Sequence, residues 1–106
     1  MIALQLLACH MLGDFILQTD AQAREKFSNW RARAVHVTTY SLPFVIVALL
    51  HGGTPLRMVA FMALLWSSHF VIDMRRWKKP DAPLWLQIAA DQTLHIVVLA
   101  IIVSIL

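Results

Sequence analysis

Four apolar runs alternate with three polar breaks along this chain. The runs cover Met1 to about Thr19, Ala34 to His51, Leu56 to Met74, and Leu84 to Leu106. At 1.5 Å of rise per residue, each is roughly long enough for a helix to cross a hydrocarbon core of about 30 Å. Between the first two lies a mixed segment, residues 21–31, where Arg24, Glu25 and Lys26 meet Phe27 and Trp30. It reads as an interfacial amphipathic turn or helix at headgroup level, with Asp20 as its cap. Pro43 predicts a kink in the second run, freeing the carbonyl at Thr39 one turn earlier. Gly52-Gly53-Thr54-Pro55 predicts a tight turn, with Thr54 as N-cap and proline at the first helical position. The break from Arg75 to Pro83 is basic, carries Trp77, and offers Asp81 as a cap for the last run. The expectation is an all-α integral membrane four-helix bundle, one domain over residues 1–106.

Polar residues interrupt these runs at one recurring interval. His10, Asp14 and Gln18 are four apart, as are His69 and Asp73, and Gln87, Asp91 and His95; His36 stands near the start of the second run. Four-residue spacing keeps a helical set on one face. Gly13, between two ionisable residues, would let another helix approach closely.

Composition sharpens the membrane reading: 59% of the 106 residues are hydrophobic and 14% charged, well outside the range of an ordinary soluble domain. A net charge of +3 could suggest nucleic acid. The distribution points instead to lipid, because Arg24, Lys26, Arg31 and Arg33 fill the first loop and Arg75, Arg76, Lys78 and Lys79 the third, while the second has only Arg57. That bias places the first and third loops in the cytoplasm and both termini outside, with anionic headgroups as the partner and no nucleic acid. The location expected is a bacterial inner membrane, and a homo-oligomer is compatible with it. Ala21-Gln22-Ala23 resembles a leader-peptide cleavage site, yet no basic residue precedes the run and His10 and Asp14 break it. Cys9, a lone cysteine, reads as a packing hydrophobe.

Counted inward from the two basic loops, Asp14 and His69 lie about 8 Å deep, Asp91 about 10 Å, His10 about 14 Å and His95 about 16 Å, with His36 and Asp73 near the surface. Seven ionisable groups from four helices thus share one half of the membrane. Three aspartates there cost about 2.5–3.5 kcal/mol each unless compensated. With no Lys or Arg at that depth by position, protons, imidazolium or metal ions must answer them. His10, Asp14, His36, His69, Asp73, Asp91 and His95 form a ligand set suited to one or two divalent ions, zinc, iron or manganese. Hydrogen-bonded glue between helices is the plainer reading of such residues, and His51, at the outer end, belongs to it. Gln18 and Gln87 read as hydrogen-bonding partners, Thr39 and Tyr40 stay open, and the basic residues of the third loop read as topology determinants.

His10-Met11-Leu12-Gly13-Asp14-Phe15-Ile16-Leu17-Gln18, then His36, His69-Phe70-Val71-Ile72-Asp73 and Asp91-Gln92-Thr93-Leu94-His95 resemble an uncharacterised family of small membrane proteins of bacteria and their phages, a domain of unknown function. The resemblance covers nearly the whole chain and implies an architecture but no reaction. More loosely, the pattern is similar to membrane-bound metal-dependent hydrolases. Metal-assisted hydrolysis of an inner-leaflet amphiphile, or of a small cytoplasmic ester, amide or phosphoester, is the expected chemistry: one ion acidifies water and a second polarises the attacked oxygen. His36 is then a further ligand or the catalytic proton shuttle. A cation or proton pathway, a haem-binding bundle with one imidazole per helix, and a non-catalytic membrane module remain as alternatives.

Overall fold

The computed structural model describes residues 2–75 and 81–106, and every regular element among them is helical. Helix α1 (Ile2–Met11) continues into a π-helical turn (Leu12–Ile16). A short α2 (Asp20–Glu25) follows, then α3 (Trp30–His51), α4 (Pro55–Asp73) and α5 (Leu84–Ile102), which ends in a 3-10 turn (Val103–Ile105). α1 packs on α3 and α5, α3 on α4, and α4 on α5, giving an elongated body of 43 × 23 × 21 Å. Three helical stretches, Trp30–His51, Pro55–Asp73 and Leu84–Ile105, are long and apolar enough to cross a membrane, which points to a membrane protein. Large apolar side chains such as Leu4, Ile46, Leu50, Leu56, Val59 and Ile101 face outward, as a lipid solvent favours.

The first run is shorter as a helix than its hydropathy suggests. It leaves helical geometry after Ile16 because Thr19 starts a new helix: its Oγ1 accepts from the Gln22 N–H at 3.1 Å, and Gln22 Oε1 accepts from the Thr19 N–H. That reciprocal capping box replaces the expected Asp20 cap, since the Gln lies three residues after the Thr. Asn29 then caps α3, accepting from the N–H groups of Arg31 and Ala32, so the helix begins at Trp30, ahead of the apolar run at Ala34. Thr54 caps α4 and Pro55 opens it, as expected. At α5 the capping position is Pro83, with no side-chain bond; Asp81 lies two residues too early, and Gln87 Nε2 donates to the Ala82 carbonyl instead. Pro43 sits inside a continuous α3. Of the basic loop, Arg76, Trp77, Lys78 and Lys79 lie outside the described residues.

The interior divides along the long axis. Toward the turn joining α3 and α4, Leu6, Phe44, Val47, Ala48, Phe61, Leu65, Leu99 and Ile102 form an apolar core, with Cys9 packed against it as a hydrophobe. At the opposite end the interior is polar. The chain achieves the closest approach there through Gly13: a Cβ at that position would lie 2.8 Å from the Tyr40 carbonyl oxygen and 2.9 Å from its Cα. Only a residue without a side chain lets the π turn rest against the α3 backbone.

Candidate metal centre

The π turn, α3, α4 and α5 each deliver polar side chains to one buried point. The π turn is marked by the Leu17 N–H donating to the Leu12 carbonyl five residues back, at 2.9 Å. Such a turn inserts an extra residue into the helix and is frequent at functional sites; here Asp14 sits on it, 2% exposed. His36 from α3 and His69 and Asp73 from α4 are equally enclosed. Asp73 and His36 are enclosed although they stand near the ends of their helices, because Lys26 and Arg75 fold over this end of the bundle.

Four atoms converge: Asp14 Oδ1, His36 Nε2, His69 Nε2 and Asp73 Oδ2. His36 Nε2 lies 3.2 Å from Asp14 Oδ1, 3.3 Å from Asp73 Oδ2 and 3.2 Å from His69 Nε2. His69 Nε2 is 3.0 Å from Asp73 Oδ2 and 3.8 Å from Asp14 Oδ1. Ligands at about 2.0–2.1 Å in a tetrahedron around zinc stand about 3.3–3.4 Å apart. The separations that involve the two imidazole nitrogens, 3.0–3.8 Å, scatter around that edge length. Beside this set, His95 Nε2 lies 3.4 Å from Asp73 Oδ1 and 3.6 Å from Asp91 Oδ1. Asp73 thus turns one oxygen to each group.

Several polar atoms of this cluster lack hydrogen bonds among the described residues. Asp14 Oδ1, both oxygens of Asp73, Asp91 Oδ1 and His95 Nε2 are buried with no hydrogen-bond partner. Three overlapping trios, Asp14–His36–His69, His69–Asp73–His95 and Asp14–Asp91–His95, each bring ligand atoms within 4.8 Å of one another. A buried carboxylate oxygen without a hydrogen bond carries a desolvation cost that a cation removes.

The rings are positioned mainly by stacking. His69 lies against Tyr40 with centroids 3.9 Å apart and against His95 at 4.1 Å. His36 Nδ1 and His69 Nδ1 make no hydrogen bond, so these rings lack the carbonyl or carboxylate partner that metal-bound histidines ordinarily have; the Tyr40–His69–His95 stack does that orienting.

His10 stands apart from the other six residues. Its Nδ1 is 2.8 Å from Tyr40 Oη and its Nε2 is 2.8 Å from Gln92 Oε1, so both ring nitrogens are engaged. Gln92 explains the arrangement. Its Nε2 donates to Asp14 Oδ2 at 3.0 Å and Asp91 Oδ2 at 3.2 Å, and since carboxylates only accept, the amide orientation is fixed. Its Oε1 then faces His10 Nε2, which must carry the hydrogen, and in the neutral ring Nδ1 accepts from the Tyr40 hydroxyl. One chain of bonds links Tyr40, His10, Gln92 and two aspartates. Sequence spacing picks Gln87 as the amide of that helix stripe and misses Gln92; the available signal is its place beside Asp91 in the Asp91-Gln92-x-x-His95 segment. Gln18 makes no such contact, its Oε1 being buried without a hydrogen bond. His51 lies at the far end, exposed and bonded to Gln5, in keeping with a helix-joining role.

The expectation that no cation reaches the aspartates needs correction. Lys26, after α2, sends its Nζ to within 3.6 Å of Asp14 Oδ1 and 3.9 Å of Asp73 Oδ2, and Arg75 reaches within 4.0 Å of Asp91 Oδ2. Counting depth along a helix axis ignores a side chain that enters from a loop folded back over the bundle end. Arg75 turns inward through a left-handed backbone, φ 56°, just past the end of α4, a conformation costing roughly 1–2 kcal/mol in a non-glycine residue. Among the described residues, three aspartates against Lys26 and Arg75 leave one net negative charge.

No curated protein and no solved structure shows significant similarity to this sequence. The family comparison is decisive where those are silent. Its model spans residues 2–106, practically the whole chain and every residue of the centre just described, and the protein therefore belongs to the family described as "Protein of unknown function (DUF3307)".

Proposed function

We propose that this chain is a four-span inner-membrane protein, termini outward, whose Asp14, His36, His69 and Asp73 bind one divalent transition-metal ion for hydrolysis at the cytoplasmic headgroup layer. The observation that carries the reading is the convergence of four buried ligand atoms on one point, the imidazole nitrogens 3.0–3.8 Å from one another and from carboxylate oxygens that lack hydrogen bonds. Two imidazoles and two carboxylates suit zinc, with iron and manganese as alternatives. The loop charges support the orientation, and Lys26 after α2, seated on Asp14 and Asp73, supports placing the centre at the headgroup end of the bundle. The substrate class is an amphiphile of the inner leaflet or a small ester, amide or phosphoester.

When bound, the ion supplies Lewis acidity to water and to the attacked carbonyl or phosphoryl oxygen. The protein's own groups supply the rest. Asp14 is steered by Gln92, which holds Oδ2 so that Oδ1 points inward. His95 is not needed for the four-residue set, and its Nε2 faces Asp73 Oδ1 and Asp91 Oδ1, two acceptors that keep a proton on this nitrogen, so the ring is placed to donate a proton to the leaving group. His36 is assigned as a ligand, and the shuttle passes to His95. His10 orients through Gln92 and Tyr40.

The rival readings receive less support. A cation pathway would continue into the other half of the bundle, where Leu6, Phe44, Phe61, Leu65 and Leu99 close the interior. A haem would need a slot between imidazoles, and His69 and His95 stack at 4.1 Å. The test is an assay of detergent-purified protein on chromogenic amphiphilic esters and phosphoesters. The expected result is turnover abolished by chelation, restored by zinc, and reduced by about 10²–10⁴-fold in His95→Gln with metal content unchanged. No turnover by the loaded protein, or turnover indifferent to chelation, would remove the enzyme reading and leave a non-catalytic metal-binding module.

A further inference from the structure

Among the described residues, Lys26 is the cation that reaches the converging ligand atoms themselves. Its side chain is 7% exposed, and its Nζ faces Asp14 Oδ1 and Asp73 Oδ2, two of the four converging atoms. The separations of 3.6 and 3.9 Å exceed the roughly 2.7–2.9 Å of a tight ammonium–carboxylate bond. The lysine compensates the acidic pair without being locked onto it. Its backbone is held from outside the centre: an Arg33 guanidinium nitrogen donates to the carbonyls of Lys26 and Phe27 at 3.3 Å each, and Arg33 in turn lies over the Phe70 ring. Phe27 carries the Arg75 guanidinium 3.7 Å above its ring and the Lys26 ammonium at 5.0 Å. The turn is thus anchored at its carbonyls and not through the lysine side chain.

Buried aspartates in a low-dielectric interior need a positive charge near them whether or not an ion is present. With a divalent ion among Asp14, His36, His69 and Asp73, the ammonium would stand a few ångströms from two positive charges, with its partner oxygens already ligating. Like charges at that distance repel by several kcal/mol even at an effective dielectric constant of 20. We infer that Lys26 is a resident counter-ion of the metal site, which the incoming ion displaces from Asp14 and Asp73, releasing the lysine side chain toward the headgroup layer. This rests on the metal-binding reading above. Nothing is oxidised, reduced or covalently altered: one cation replaces another on the same two carboxylates, and Lys26 leaves as the ammonium.

Two measurements on the full-length protein in detergent test it. Zinc titration of metal-stripped wild type, Lys26→Met and Lys26→Arg is expected to show Lys26→Met binding at least tenfold tighter than wild type, with Lys26→Arg within threefold of wild type. Acylation of Lys26 by an amine-reactive ester, followed by mass spectrometry, is expected to be at least tenfold faster in zinc-loaded wild type than in stripped protein. Equal or weaker zinc binding by a folded Lys26→Met overturns the inference, as does an unchanged acylation rate. If wild type binds zinc and these effects are absent, the metal site stands and only the counter-ion role falls. If neither wild type nor Lys26→Met binds zinc, the metal reading falls with it.

Discussion

Asp73→Asn is expected to lower zinc affinity by at least 100-fold while the helices still form. Asp73 is fully enclosed and turns both oxygens to imidazoles: Oδ2 to His36 and His69 at 3.3 and 3.0 Å, and Oδ1 to His95 at 3.4 Å. Asparagine keeps the shape and removes the charge, and its amide nitrogen cannot ligate. Loss of one anionic ligand of four, with an N–H₂ aimed at nitrogen ligands or at the ion, exceeds the roughly 10–100-fold that mutation of an outer hydrogen-bond partner costs. Elemental analysis and zinc titration read the effect, and far-UV circular dichroism reports the helices. Zinc affinity within threefold of wild type would remove Asp73 from the site.

The second large effect belongs to a residue that ligates nothing. Gln92→Leu severs three contacts at once, those to His10 Nε2, Asp14 Oδ2 and Asp91 Oδ2. An unpaired polar group in the interior costs about 1–3 kcal/mol, and Asp14 and His10 both lose a partner, so a loss of about 2–4 kcal/mol of stability is expected. Zinc affinity should fall about 10–100-fold, since Asp14 is no longer oriented. Gln92→Glu should be worse for binding, because it sets a third carboxylate against Asp14 and Asp91. Thermal unfolding in detergent and zinc titration check both halves. A stable Gln92→Leu protein with unaltered zinc affinity would show that the Tyr40–His10–Gln92 chain orients nothing.

Much of the centre was legible because helix geometry is local. His69 with Asp73, and Asp91 with His95, are each four apart and meet within 3.0 and 3.6 Å, as one face of a helix requires. The long apolar stretches and their Pro, Gly and Thr punctuation located α3, α4 and α5. What escaped depends on tertiary or irregular structure. The π turn at Leu12–Ile16 has no spacing signature, so His10 and Asp14 read as neighbouring ligands although Gln92 joins them indirectly. Lys26 belongs by sequence to a basic loop, where topology explains a lysine well enough; only the fold-back of α2 over the bundle shows its reach. Gln92 lies about 100° around the helix from Asp91, off the stripe that spacing selects but on the side facing α1. The loop charges bear on the membrane orientation, whereas the enclosure of Asp73 and His36 comes from side chains of covering segments, which spacing along a helix does not show.

The most direct measurement is the metal content and coordination of protein purified under mild conditions and loaded with zinc. The account predicts one equivalent of zinc per chain, with X-ray absorption showing four nitrogen and oxygen ligands at about 2.0–2.1 Å, imidazole scattering and no sulfur. Less than a tenth of an equivalent retained after loading, or a shell containing the Cys9 sulfur, would contradict it.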